Sequence, residues 1–245
     1  MAFKKRSALI TGAAVGIGRA TAIVLAEKGA DLVLVDLDGE KLEALKEELE
    51  VYNSKILIYK CDVSDEQGVY DVVKQAEAEL GKIDILVNNA AIWRCHTPFV
   101  ETSTDEWRKY LDVNIMSVVY FTRAVLPKMI ENQYGRIINV ASVAGVYGNA
   151  NMVHYSATKG AIISMTKALA KEVSAKGILV NSVSPGSVSP STVLDIDYTQ
   201  ESTLSFMGRT GSDRENANLI CFLASDDANY ISGQNIQIDG CRKKQ

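Results

Sequence analysis

The chain has 245 residues, of which 47% are hydrophobic and 23% charged, and a formal net charge of −4. That length suits one large α/β domain or two small ones and supplies a core that needs no staples. The mild acidity excludes the basic footprint of a nucleic-acid binder and the polybasic patch of a membrane-surface protein. Cys61, Cys95, Cys221 and Cys241 lack metal-ligand spacing, so free thiols in a reducing cytoplasm and no metal site are expected. Lys4-Lys5-Arg6 before an apolar stretch imitates a signal peptide, but Gly12, Gly16, Gly18 and Arg19 interrupt it, and no window reads as a membrane span.

In chain order, Ser7-Ala8-Leu9-Ile10 predicts a strand, Thr11 to Gly18 a glycine turn, and Ala20, Ile23, Val24 and Leu25 a helix closing near Gly29. Strand, glycine turn and helix are the context of a dinucleotide site. Glycines let the backbone approach a pyrophosphate, and the helix N-terminus offers free N–H groups. The spacing is Gly12-x-x-x-Gly16-x-Gly18, which taken alone also fits a tight turn without a ligand. Residues 31–36 form a Leu/Val run of the buried parallel type, ending in Asp36. A carboxylate there accepts hydrogen bonds from both ribose hydroxyls and repels a 2′-phosphate, which favours NAD(H); the plainer reading is an acid at the start of a helix over 40–49.

A third strand over 55–59 and a helix over 65–80 follow, then a strand over 81–87 that delivers Asn88-Asn89-Ala90-Ala91 to its end. A long helix is expected over 104–129 with Trp107, Leu111, Asn114, Ile115, Val118, Val119 and Leu126 inward. Strands at 136–141 and 177–183 end at Ser142 and before Pro185-Gly186, and 236–238 closes the sheet. Alternating strands and helices imply parallel strands with right-handed crossovers. The fold class is therefore α/β, a doubly wound parallel sheet (Rossmann fold) in three layers. It makes a single domain over 1–245, with a cofactor half over about 1–135 and a catalytic and substrate half over about 136–245. The ligand crevice falls at the strands' carboxyl ends.

Tyr155-Ser156-Ala157-Thr158-Lys159 leads into a helical apolar pattern. Residues four apart share a helix face roughly 6 Å apart along the axis. An ammonium one turn from a phenol stabilises the phenolate, lowering a pKa that starts near ~10. By itself the pair also fits a surface tyrosine stacked on a lysine stem.

The ordered set changes that reading. Thr11-Gly12-x-x-x-Gly16-Ile17-Gly18, Asp62-Val63, Asn88-Asn89-Ala90, Asn114, Ser142, Tyr155-x-x-x-Lys159, Pro185-Gly186 and Ile231-Ser232-Gly233-Gln234…Asp239-Gly240 together resemble the short-chain dehydrogenase/reductase family over essentially the whole chain. The resemblance implies an NAD(H)-dependent oxidoreductase that interconverts a secondary alcohol and a ketone on a small molecule. Tyr155 would be the acid–base, Lys159 would tune it and bond the nicotinamide ribose, Ser142 would hold the substrate oxygen, and Asn114 would position a relay water. Gly12, Gly16, Ile17, Gly18, Asp36, Asp62, Val63, Asn88, Ala90, Tyr155, Lys159, Pro185, Gly186 and Val188 would bind the cofactor. Relatives pair the helices near 104–129 and 155–175 across subunits, so a homotetramer is expected.

Three positions depart from the family pattern. Ala91 replaces a glycine, and Cys241 follows Asp239-Gly240 where a second glycine is common. Pro190 stands where a threonine often bonds the carboxamide, leaving Ser189 or Ser191 as substitutes. The pocket is expected to draw on residues 92–96, 143–147, 149–154 and 187–206, with Arg94 as a candidate for an anionic substrate and His96 and His154 as polar groups rather than acid–bases. The rival readings are a 3-oxoacyl-carrier-protein reductase, which prefers a basic 2′-phosphate site, and a non-catalytic dinucleotide-sensing regulator, which has no need of Asn114, Ser142, Tyr155 and Lys159 together.

Overall fold

The structure is a computed structural model and describes residues 3–94, 96–190 and 192–243. Cys95 and Ser191, both named above, lie outside the described residues. Seven parallel strands form one sheet in the order β3-β2-β1-β4-β5-β6-β7: β1 (Ser7–Thr11), β2 (Asp31–Asp36), β3 (Ile56–Lys60), β4 (Ile85–Asn88), β5 (Gly135–Val140), β6 (Ile178–Pro185) and β7 (Asn235–Ile238). The order reverses between β1 and β4, and a crevice opens beyond their carboxyl ends at such a switch point.

Strand alternation divides the core into two layers. Ala8 and Ile10 of β1 and Leu32 and Leu34 of β2 face α1 (Gly16–Glu27), α2 (Gly39–Leu49) and α8 (Asp213–Ala224). Leu9, Val33 and Val35 face the opposite way, toward α3 (Glu66–Leu80), α5 (Ser117–Glu131) and α7 (Val153–Val173). The remaining helices, α4 (Thr104–Leu111) and the one-turn α6 (Ala144–Tyr147), sit at the crevice end.

Two features depart from the sequence reading. The helix expected over 104–129 is α4 and α5 joined by a π turn at Asp112–Met116. Five-residue spacing there rotates α4 relative to α5. Tyr110 is therefore buried, whereas Leu111 is 40% exposed and the buried face of α5 is Val118, Phe121, Val125 and Met129. The stretch 104–131 is also long and apolar enough, by length and composition alone, to cross a membrane, contrary to the sequence expectation; here one side of it packs in the α3/α5/α7 layer. The second feature is α8, a helix the apolar periodicity does not announce but whose start carries the capping-box signature Ser212-x-x-Glu215. Ser212 Oγ accepts from Glu215 N at 3.1 Å, and Ser212 N donates to the Glu215 carboxylate at 2.8 Å.

Candidate active site

The glycine turn and the end of β4 are stitched together through one hydroxyl. Thr11 Oγ1 accepts from the N–H groups of Asn89 and Ala90, both at 3.0 Å, while Asn89 Nδ2 donates to Thr11 O at 2.9 Å and Gly12 O at 3.0 Å. Gly12 has φ +64°, and a Cβ there would stand 2.9 Å from Ala90 Cα. A Cβ on Gly18 would stand 2.0 Å from Gly12 O, so Gly18 serves the strand–helix approach. Gly16 and Ile17, by contrast, line the crevice. The N-cap of α1, Val15, provides no side-chain acceptor, and no acid sits in the first turn. The first-turn N–H groups are thus left for an anionic ligand, and the positive end of the helix faces it.

The crevice is a cavity of about 1260 Å³, larger than the range usual for one small ligand and roomy enough for a dinucleotide and a substrate together. Asp36, Leu37, Cys61 and Val63 line it near Gly12. Asp36 is fixed by two backbone donors, Ala14 N at 2.9 Å and Asp38 N at 3.1 Å. A dinucleotide fits these groups: free helix N–H groups suit a pyrophosphate, and a held carboxylate suits a ribose diol. Asp62 does not line the cavity. Its carboxylate turns to the N–H and hydroxyl of Ser64, which hold its pKa below the usual range.

Asn88 is likewise not on the cavity wall. Strand alternation sends its side chain with Leu86 into the α5/α7 layer, where Nδ2 donates to Asn139 Oδ1 at 2.9 Å and Thr122 Oγ1 at 3.3 Å. Asn139 Nδ2 continues to Thr166 Oγ1 on α7 at 2.9 Å. The next residues, Asn89 and Ala90, reach the cavity instead.

Ser142, Tyr155 and Lys159 line the same cavity. Ser142 Oγ, just past β5, accepts from Ala144 N at 3.1 Å, which fixes the hydroxyl at the start of α6. The helices α6 and α7 touch backbone to backbone: a Cβ on Gly145 would lie 2.5 Å from Lys159 C. Only a glycine at 145 allows that approach, a requirement absent from the sequence reading. Lys159 is 4% exposed, and its Nζ donates to Val140 O at 2.7 Å and lies 5.9 Å from the centre of the Tyr155 ring. Burial lowers the Lys159 pKa from 10.5 to about 8, so it remains mostly an ammonium at neutral pH.

Asn114 is 1% exposed and lies behind the wall at the π turn. Its Oδ1 accepts from Ile92 N at 2.8 Å, and its Nδ2 donates to Ile92 O at 3.0 Å and Thr158 Oγ1 at 3.2 Å. The side chain therefore clamps the turn after Ala90 to α7 beside Lys159. Pro185, Gly186 and Val188 line the same cavity. Ser189 also reaches the cavity, but its hydroxyl donates to Tyr198 O, so it is not a free donor in place of the usual threonine. His154 is fully buried against Tyr110 and Trp107, with Nε2 3.2 Å from Glu106 Oε1, and is absent from the cavity.

A parallel sheet of this order with a glycine-turn ligand site at its switch point defines a Rossmann-type dinucleotide-binding protein. The description of the short chain dehydrogenase family matches residues 6–201. A 3-oxoacyl-[acyl-carrier-protein] reductase FabG of Thermotoga maritima is 40% identical over 243 residues, covering 98% of each chain. A 2-dehydro-3-deoxy-L-rhamnonate dehydrogenase (NAD(+)) of a Sphingomonas species is 36% identical over 97% of this chain and 95% of its own length. The crystal structure of NAD+-bound xylitol dehydrogenase superimposes with a TM-score of 0.91 at 32% identity, over 98% of this chain and all of that one. The chain belongs to the short-chain dehydrogenase family and is an oxidoreductase.

The buried ammonium has a measurable consequence. A lysine whose folded pKa is depressed binds fewer protons than the unfolded chain between about pH 8 and 10.5, so its cost is full below pH 8 and fades as pH rises through that window. The cost reaches about 3 kcal/mol, and losing the bond to Val140 O removes about 1 of that gain. Lys159→Met is expected to be inactive and about 2 kcal/mol more stable than wild type at pH 7, with the advantage shrinking toward pH 10.5. Urea unfolding at both pH values measures it, and a variant less stable than wild type at pH 7 contradicts it.

Proposed function

We propose that the protein is an NAD(H)-dependent oxidoreductase that interconverts a secondary alcohol and a ketone on a small molecule. The observation that carries this reading is the Lys159 ammonium, bonded to Val140 O beside the Tyr155 ring on the cavity that Ser142 also lines. NAD, when bound, supplies the hydride acceptor. Gly16 and Ile17 would hold its pyrophosphate, Asp36 its adenine ribose and Lys159 its nicotinamide ribose. In the oxidation direction Tyr155 Oη takes the proton of the substrate hydroxyl, and in reduction it returns one. The nearby ammonium stabilises the phenolate that accepts the proton in oxidation and that remains after reduction. Ser142 Oγ donates to the same substrate oxygen and sets its position. Because the Asn114 amide is committed to Ile92 and Thr158, a relay water serving Lys159 would be held by main-chain carbonyls of the π turn.

The relatives named as 3-oxoacyl-carrier-protein reductases favour a second reading, reduction of a carrier-bound 3-oxoacyl group. Against it, the cavity wall near Asp36 carries Leu37, Cys61 and Val63 and, among the described residues, no lysine or arginine to receive a 2′-phosphate; Lys41, whose charge reaches Asp36, is paired with Asp38. A pure dinucleotide sensor would not need the ammonium, whose burial opposes folding. The site lies at the crevice of a fold for a soluble small-molecule ligand, and a cytoplasmic setting without nucleic-acid or membrane partners fits the modest negative charge.

The test of the reading is a screen of polyols, hydroxy acids, secondary alcohols and acyl thioesters with both cofactors, followed at the absorbance of reduced nicotinamide. Turnover of small alcohols with NAD is expected; turnover confined to acyl thioesters with NADPH would transfer the assignment to the second reading. Fluorescence titration should show NAD(H) bound at least roughly ten-fold more tightly than NADP(H), about 1.4 kcal/mol, and Asp36→Ala should erase that difference. Equal affinities in wild type would remove Asp36 as the discriminator.

We also propose a homotetramer of D₂ symmetry. Ile115, Met116 and Val119 near the π turn and Ile163, Met165 and Leu169 on α7 are apolar yet only partly buried, which supports pairing of these helices between copies. Light scattering should return about four times the 26.7 kDa of one chain; a mass of one chain at micromolar concentration contradicts it.

A further inference from the structure

The cavity has a charge asymmetry that the dinucleotide does not account for. Among the described residues, Asp36 and Asp213 are the carboxylates on its wall, and both belong to the α1 side. Asp36 bonds the backbone just before α1, and Asp213 sits against Arg19 of α1, with burial raising its pKa to about 6. The opposite end, with Asn149, Met152 and Leu204, carries Arg94, His96 and Arg242 and no carboxylate.

Arg242 is placed there by the tail of the chain. After β7 the backbone reverses through two consecutive residues in the left-handed region, Gly240 at φ +62° and Cys241 at φ +58°. The tail then pairs antiparallel with the loop before α8. Phe206 N donates to Cys241 O at 3.0 Å, Lys243 N donates to Leu204 O at 2.9 Å, and Ser205 faces Arg242. Alternation along this short ladder exposes Cys241 and Lys243 and turns Arg242 to the cavity. Arg242 Nη2 donates to Asn149 Oδ1 at 3.3 Å, and no carboxylate among the described residues pairs with the guanidinium. Four of its five donors are left for a ligand. Arg94, on the same cavity, lies 5.4 Å from the Trp93 ring centre; it also lines a smaller adjoining pocket with Lys109 and Glu106, but the Glu106 carboxylate is turned to His154 Nε2 at 3.2 Å and forms no ion pair with Arg94.

We propose that the substrate is a hydroxy acid or the corresponding oxo acid, and that its carboxylate is held by Arg242 with Arg94 assisting. This rests on the oxidoreductase reading and names its substrate class. A guanidinium binds a carboxylate through two parallel N–H···O bonds, which fixes the direction of the molecule as well as its charge. Arg242 is therefore a specificity-determining group delivered by the turn that follows β7, and the left-handed Cys241 is part of the device that delivers it.

The test compares wild type, Arg242→Gln, Arg242→Lys and Arg94→Gln on matched probes: four- to six-carbon aldonates and 3-hydroxybutyrate against alditols of the same length, methyl esters of the acids, and phosphomonoesters of the alditols. Wild type should show the highest kcat/KM on the acids. Arg242→Gln should lower the acid-to-alditol ratio of kcat/KM by roughly 10- to 100-fold, mostly through KM, as loss of a charge-assisted pair does. Arg242→Lys should recover part of the ratio, and Arg94→Gln should lower it by less. Titration calorimetry of the same acids against the enzyme–NADH complex reads binding without turnover. Arg242-dependent binding without turnover of any probe would support Arg242 as the carboxylate site but overturn the claim that these acids are substrates. Acid binding unchanged in Arg242→Gln, or a wild-type preference for alditols, esters or phosphomonoesters, would overturn the proposal while leaving alcohol oxidation intact.

Discussion

A charged lysine sealed inside a protein is the constraint on which this site depends. Lys159 gives up most of its hydration, and its Nζ is offered the carbonyl of Val140 at the last residue of β5. Such a group survives only if the elements that hold it cannot move apart. The fold provides this by three close joints. Gly145 lets α6 rest on the backbone of α7 at Lys159 itself. The Asn88–Asn139–Thr166 chain of hydrogen bonds ties β4, β5 and α7 together below it. Asn114 and Thr158 fasten the π turn to α7 one residue before it. Two of the joints are made by polar side chains buried in the core, and the third by a glycine at which any side chain would clash. Stability is given up here to hold a positive charge beside a phenol.

The same joints place the cavity wall. The clamp of Asn114 on Ile92 sets the turn that follows Ala90, and Thr11 receives that turn's N–H groups on the other side. The floor of the dinucleotide site and the position of the ammonium are thus parts of one hydrogen-bonded assembly. A disturbance at β4 would reach both cofactor binding and proton transfer, and separating the two by mutation requires changing a terminal atom such as the Tyr155 hydroxyl.

Much of this was legible in the sequence because it is local. The glycine turn, Asp36 at the end of a buried run, the alternation of strands with helices and the four-residue step from Tyr155 to Lys159 are all short-range patterns, and the structure puts them at one crevice. What stayed hidden depends on small changes of register or on distant contacts. A π turn inserts one residue's worth of rotation, so uninterrupted helical spacing places Leu111 inward where the structure buries Tyr110. Asn88 and Asn89 differ by one position, and strand parity alone decides which faces the crevice. Arg242 reaches Asn149 from 93 positions away, a contact no local pattern announces. By contrast the start of α8 is marked locally, by the Ser212–Glu215 capping box.

The central claim is that one phenolic hydroxyl moves the proton under the influence of one buried ammonium. Tyr155→Phe keeps the ring and its packing and removes only that oxygen. The direct measurement is kcat together with NAD affinity for Tyr155→Phe and wild type, on the best substrate found, under conditions where chemistry limits the rate. The account predicts a fall in kcat of roughly 10²- to 10⁴-fold with NAD affinity nearly unchanged. A variant retaining more than about a tenth of wild-type kcat would show that the proton leaves by another route and would contradict it.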